Sequence, residues 1–251
     1  RGFTGCDYGR PPFRSPHHTA SATAIIGGGP QARPGEVSLA HRGVLFLDEL
    51  PEFTRSVLES LREPLENGVV AISRASMQVE YPARFQLVAA MNPCPCGFLG
   101  EPSGNCRCAP PEIARYRART SGPLHDRIDL RISVPALSSE ELLEEEADSG
   151  SLSTAAAAAR VAAARKVQLA RGRKLNADLA GRELQEFCGI DRAGRRLLAQ
   201  ARAGLSLTAR GVHRVMRVAR TIADLEPGSP SSISPAHLGE ALQLRRALSQ
   251  T

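Results

Sequence analysis

The sequence predicts an α/β unit built on a parallel sheet with helices, followed by a small all-helical domain. Three observations predict it. Residues 44–47 and 85–91 are short apolar runs that end abruptly in polar residues, Asp48-Glu49 and Asn92-Pro93, as strands buried in a parallel sheet do. Residues 138–151 carry six acids and no base, which marks a boundary. Beyond it the apolar residues recur at helical spacing.

Taken in order, residues 1–35 read as loop-rich, broken strongly at Gly27-Gly28-Gly29-Pro30. Glu36 to Ala40 reads as a short strand. Val44 to Leu47 is apolar at every position, so it reads as a strand buried on both faces. Val57, Leu58, Leu61 and Leu65 predict a helix over 54–67, ended by Asn67-Gly68. Val69 to Ile72 and Met77 to Tyr81 alternate as a hairpin with Arg74 at its tip. Phe85 to Met91 reads as a second buried strand and Leu130 to Val134 as a third, shorter one. Helices are expected near 154–171, 180–188, 191–203, 208–225 and 235–248. Thr208 and Ser234 stand at N-cap positions and Pro235 at a first helical position. The domains expected are 1–137, an acidic linker at 138–153, and a helical domain at 154–251.

Composition bounds the class. A chain of 251 residues with 42% hydrophobic content buries a sizeable core as one large domain or two modest ones. Aromatics are only 4% and Trp is absent, so that core is Leu, Val, Ala and Ile. No apolar stretch approaches the ~20 residues of a membrane span, which predicts no membrane partner. Residues 1–6 lack the apolar core of a signal peptide, and a cytoplasmic location is expected. The net charge of +6 is uneven: residues 1–137 carry +2, and residues 152–251 carry 17 bases against seven acids. Two readings fit the basic half, a nucleic-acid partner or a solvated arginine-rich surface.

The residues at the strand ends carry chemistry. In an open α/β sheet, ligands bind at the carboxyl ends of the strands. A carboxylate there, Asp48, can hold Mg²⁺, and a second, Glu49, can polarise the water that attacks a γ-phosphate; alone, such a pair after an apolar run also fits a helix cap or a turn. Asn92, at the end of the next strand, can supply an amide for the phosphate or the water, and Asn92-Pro93 also fits an ordinary turn initiator. These are the parts of a P-loop ATPase downstream of its phosphate loop. No G-x-x-x-x-G-K-[ST] loop fits anywhere, because the only lysines, Lys166 and Lys174, do not follow a glycine. The chain is therefore expected to be the later part of a longer ATPase, inactive by itself.

Residues 124–130 place Arg127 between two acids just before an apolar run. That fits a local ion-pair turn or an arginine finger toward a neighbouring subunit. Cys94, Cys96, Cys106 and Cys108 form a C-x-C-x9-C-x-C pattern around a Gly-rich loop. Four thiolates suit a structural Zn²⁺, with a disulfide pair or unpaired thiols as the other readings. Cys6 and Cys188 read as lone thiols. His17-His18 reads as metal-binding, or as surface or DNA-facing.

Several segments together resemble AAA+ ATPases and, within them, the magnesium-chelatase-like ComM/YifB family. These are residues 14–21, 34–41, 46–53, 61–66, 81–93 and 206–214. The resemblance implies a partial AAA+ core and a helical lid. It implies ATP and Mg²⁺ as cofactors and self-association into a hexameric ring that drives DNA branch migration in natural transformation and recombination. It makes Asp48 the Mg²⁺ carboxylate, Glu49 the general base, Asn92 sensor 1 and Arg127 the finger acting in trans. Arg210 is the match for sensor 2 and Arg214, one turn later, its alternative. The hairpin at Arg74 stands where related helicases place a DNA contact. The alternative function is a chelatase-type ATPase subunit that drives a protein partner. A non-catalytic helical adaptor with a zinc knuckle needs none of Asp48, Glu49, Asn92 and Arg127.

Overall fold

The computed structural model describes residues 9–74, 77–101, 104–120, 122–135, 152–205 and 207–246. Most of the acidic segment, Cys6 and the hairpin tip at 75–76 lie outside the described residues. The chain divides into two compact units, Arg1–Ile128 and Asp129–Thr251.

The first unit is organised on three parallel strands, β1 (Phe13–Arg14), β4 (Val44–Leu47) and β7 (Gln86–Ala89), with β4 in the centre. Val44 pairs with Phe13 on one side and Gln86 on the other. Between them lie helix α1 (Ala22–Ile26), the small antiparallel pair β2 (Gly27–Gly28) and β3 (Arg33–Pro34), and helix α2 (Glu36–Leu39). Leu45 and Leu47 point into a core with Ile25, Val37, Val57, Leu58 and Leu61. Gly43 is required at the entry to β4. A Cβ there would stand 1.9 Å from the Pro12 carbonyl oxygen, which accepts the Val44 N–H.

Residues 54–67 form two helices, α3 (Arg55–Ser60) and α4 (Arg62–Asn67), stepping at Leu61. Gly68 closes α4 in the left-handed conformation, φ 72°, and donates its N–H to the Pro64 carbonyl. The hairpin forms as β5 (Val69–Arg74) and β6 (Met77–Pro82), antiparallel with Arg74 opposite Met77. Helices α5 (Pro110–Ala118) and α6 (Gly122–His125) complete the unit.

Four sequence readings are corrected. Glu36–Leu39 is a helix turn, because Gly35 bends the chain against α1 and only Val37 is fully buried. The second strand is shorter than 85–91 and not buried. Within the described residues β7 is an edge strand covered on one face, and Val88 is 38% exposed. Leu130 to Val134 is no strand: among the described residues it pairs with none, and Ile132 and Val134 are 70% and 86% exposed. The double-faced burial expected of β4 holds for Leu45 and Leu47 only; Val44 and Phe46 are half-buried, with Phe46 stacked on Phe13.

The second unit is helical: α7 (Thr154–Gly172), α8 (Gly181–Phe187), α9 (Arg192–Gly204), α10 (Ala209–Leu225) and α11 (Pro235–Arg246). Ser153, Asp191 and Thr208 cap α7, α9 and α10 through their side-chain oxygens, and Ser234 Oγ accepts the His237 N–H. Leu184, Leu198, Val215, Ala219, Leu238 and Ala241 lie within one core. Cys188 is buried there, which pushes its thiol up to about 11. A polar cluster sits beside that core. The buried Asp224 carboxylate accepts two 2.7 Å bonds from Arg171 and one from the fully buried Arg220. Among the described residues no helix is long and apolar enough to cross a membrane.

Candidate nucleotide-hydrolysis site and thiol cluster

Pairing between β4 and β7 continues past the strand ends and isolates Asp48-Glu49. The Ala90 N–H donates to the Leu47 carbonyl, and the Leu50 N–H donates to the Ala90 carbonyl, both at 2.9 Å. One residue of β7's extension thus clamps both flanks of the acidic pair. The two carboxylates between the clamps are exposed at the carboxyl end of the central strand. Glu49 adopts the left-handed conformation, φ 52° and ψ 48°, at a cost of about 1 kcal/mol or more for a residue with a side chain. Its N–H donates to Asp48 Oδ1 at 2.9 Å, which holds that turn. Asn92 stands two residues beyond Ala90 and is exposed.

β1 runs parallel to β4, so the residues after Arg14 emerge at the same end as Asp48 and Glu49. His18 does so, and its Nδ1 lies 3.0 Å from Glu49 Oε2. His17 packs against the His18 ring, and the edge of His18 meets Phe53. The sequence reading noticed this histidine pair but missed its partner. The sequence carried no signal for it, because β1 is only two residues long and lies in a segment that reads as loop.

Directly after Asn92 the chain enters the thiol cluster. The Sγ atoms of Cys94, Cys96, Cys106 and Cys108 all lie within 4.8 Å of one another. Cys94 is 3.4 Å from Cys96 and 3.7 Å from Cys106, and Cys96 is 3.7 Å from Cys106. Four sulfurs at ~2.3 Å from a tetrahedral Zn²⁺ stand about 3.8 Å apart, so the donor set fits that ion. The cysteines are free, with no disulfide between them. The backbone N–H of Phe98 holds the Cys96 thiol down at about 6. The hydrogen bond from Cys108 to Cys96 pushes the Cys108 thiol up to about 12.

Helix α5 starts at the cluster and returns to the site. Burial pushes the Tyr116 phenol up, and the phenol hydrogen-bonds the Asn92 backbone. Arg117 donates to the Pro93 carbonyl at 3.2 Å. Arg119 grips both carboxylate oxygens of Glu52, in the 3-10 turn just after Glu49, at 2.9 and 2.8 Å. Tyr116 and Arg119 had no motif to announce them in the sequence, and Glu52, inside the 46–53 segment, had no role assigned to it.

The remaining candidates are placed as follows. Arg127 is 12% exposed and bonds Glu66 and the carbonyls of Arg62 and Pro123. Arg74 stands at the end of β5 beside the hairpin tip. Arg210 is exposed in the first turn of α10, and Arg214 pairs with Asp129 at 2.8 Å.

Known families match this arrangement along nearly the whole chain. The model described as magnesium chelatase, subunit ChlI, matches residues 4–142, and that for the ChlI C-terminal region matches 138–245. The chain belongs to the magnesium-chelatase-like ComM/YifB family. It is 48% identical over 235 residues to the YifB protein of Salmonella typhimurium, covering 93% of this chain and 45% of that protein. It is 47% identical to the competence protein ComM of Haemophilus influenzae over the same shares. The Mycobacterium tuberculosis protein Rv2897c is 44% identical over 221 residues, covering 86% of this chain and 43% of its own. The chain thus spans about half the length of the curated relatives it matches. In this family the parallel sheet with its helices is a partial AAA+ core, and the second unit is its helical lid.

Proposed function

We propose that this chain is part of an ATP-driven, hexameric DNA motor that promotes branch migration in natural transformation and recombination. The observation that carries the reading is the Ala90 clamp, which holds two exposed carboxylates beside the strand that leads to Asn92. The name of the ComM relative supplies the competence context. The basic charge of residues 152–251 favours a polyanionic partner.

In this reading Asp48 holds the metal, and Mg²⁺ when bound neutralises charge at the phosphates of ATP. Glu49 takes the proton of the attacking water at its carboxylate. Asn92 donates its amide to the phosphate or to that water. Arg210, or Arg214 one turn later, reads the phosphates from the lid. Arg127 serves a neighbouring subunit's phosphate once it leaves Glu66. Arg74 brings the hairpin tip to DNA. Zn²⁺ held by Cys94, Cys96, Cys106 and Cys108 supplies a rigid cross-link for the loop after Asn92.

The test is branch migration of a labelled four-way DNA junction by the full-length protein, beside a Glu49→Gln variant. ATP-dependent migration that the variant loses supports the motor. A protein that hydrolyses ATP yet neither migrates junctions nor responds to DNA belongs to the second reading. That reading, a chelatase-type subunit driving a protein partner, is favoured by the ChlI family match.

A further inference from the structure

We propose that Arg192, Arg195, Arg196 and Arg202, on one face of α9, form a docking surface for the phosphate backbone of DNA. The inference rests on the DNA-motor reading and names a surface for it on the lid.

The face lies away from the buried side of its helix. Gly194, Leu198 and Ala201 bury the opposite side of α9 in the lid core. At 3.6 residues per turn the four arginines fall within an arc of about 120°. All four are exposed. Among the described residues none of their side chains makes an ion pair or a hydrogen bond, whereas Arg171 and Arg220 share Asp224 and Arg214 holds Asp129.

Their placement works against the helix. Arg192 stands three and four residues before Arg195 and Arg196, spacings at which like charges repel. The three crowd the first turns, where the helix dipole is already positive. The adjacent acid, Asp191, spends Oδ1 on the Gly194 N–H at 2.7 Å. Stability alone would place acids at this end. A polyanion removes the repulsion, and the guanidinium fork suits phosphate oxygens. From Arg192 to Arg202 the helix rises about 15 Å, a length over which duplex DNA presents about nine charges. α9 contains no aromatic residue, so it offers no platform for stacked bases. The surface therefore contacts backbone and does not discriminate sequence.

The test uses the full-length protein and the triple variant Arg192→Gln, Arg195→Gln, Arg196→Gln. Affinity for a labelled random-sequence duplex is titrated against salt, with thermal melting alongside. The expected result is at least about a tenfold loss of affinity and a log–log salt slope shallower by about 2.7, near 0.9 per contact. Melting stays equal or rises, because the repulsion is gone. Should the triple variant not fold, Arg202→Gln alone is expected to flatten the slope by about 0.9. An unchanged slope, with a wild type that binds steeply, overturns the surface and leaves the motor reading standing. Lost self-association with DNA affinity intact also overturns it, and assigns the stripe to an acidic face of a second copy. A wild type that binds no DNA overturns both.

Discussion

His18 Nδ1 stands 3.0 Å from Glu49 Oε2, four residues past the end of the strand beside the one that leads to Glu49. The carboxylate is half-exposed and has a strained backbone, so this contact is what fixes its direction. In the full-length protein, His18→Ala is expected to lower kcat for ATP about tenfold and to leave KM within about twofold. His18→Asn, which keeps a donor, is expected to recover part of the loss. Steady-state ATPase assays check this, and an unchanged kcat would refute a positioning role for His18.

Arg127 is held by Glu66, Arg62 and Pro123 of its own unit. A finger acting in trans predicts complementation. Subunits with Arg127→Ala retain Asp48 and Glu49 but lack the neighbour's charge. Mixed with Glu49→Gln subunits, whose Arg127 is intact, they are expected to regain turnover. A removed finger costs about 10³-fold or more. Mixtures no more active than their parts would refute the finger role of Arg127.

The thiol cluster predicts about one zinc per chain in protein purified under reducing, chelator-free conditions. Cys94→Ser is expected to lose the metal and lower the melting temperature. Ligands must deprotonate to bind, and Cys106 and Cys108 are raised, so zinc uptake is expected to release protons and weaken as pH falls. Elemental analysis that finds no metal in wild type would refute the site.

Asp224 carries the polar cluster of the helical unit. Burial alone would raise its carboxyl; hydrogen bonds from Arg171 and Asn176 and the charge of Arg220 outweigh it and hold the group below the usual carboxylate range. Its folded value lies below its unfolded value. The stabilisation is therefore complete above about pH 4 and lost as pH falls through the lower, folded value. Asp224→Ala strands the buried Arg220 and is expected to cost about 3–5 kcal/mol, read by chemical denaturation.

Much of this architecture follows from local pattern. The two apolar runs, the β5–β6 hairpin, the Gly68 stop, the caps at Thr208 and Ser234 and the spacing of the lid helices are set within a few residues, by period and cap chemistry. The C-x-C-x9-C-x-C spacing likewise announced four converging thiols. The errors came where neighbours decide. Leu130 to Val134 has strand composition but, among the described residues, no strand beside it, and a strand needs a partner for its backbone groups. Glu36–Leu39 became a helix turn because Gly35 packs against the Gly27 backbone.

The site divides the same way. Sequence by itself determined the kinds of group present, Asp48-Glu49, Asn92 and four cysteines, because chemistry and spacing are local properties. Tertiary structure alone decided which groups meet. It set His18 on Glu49, 31 positions away, and Arg119 on Glu52, 67 away. It also withheld Arg127 by giving it Glu66 and, among the described residues, left the side chains of the α9 arginines without a polar partner. These pairings depend on strand order and helix packing between segments far apart in the chain, so no local period encodes them.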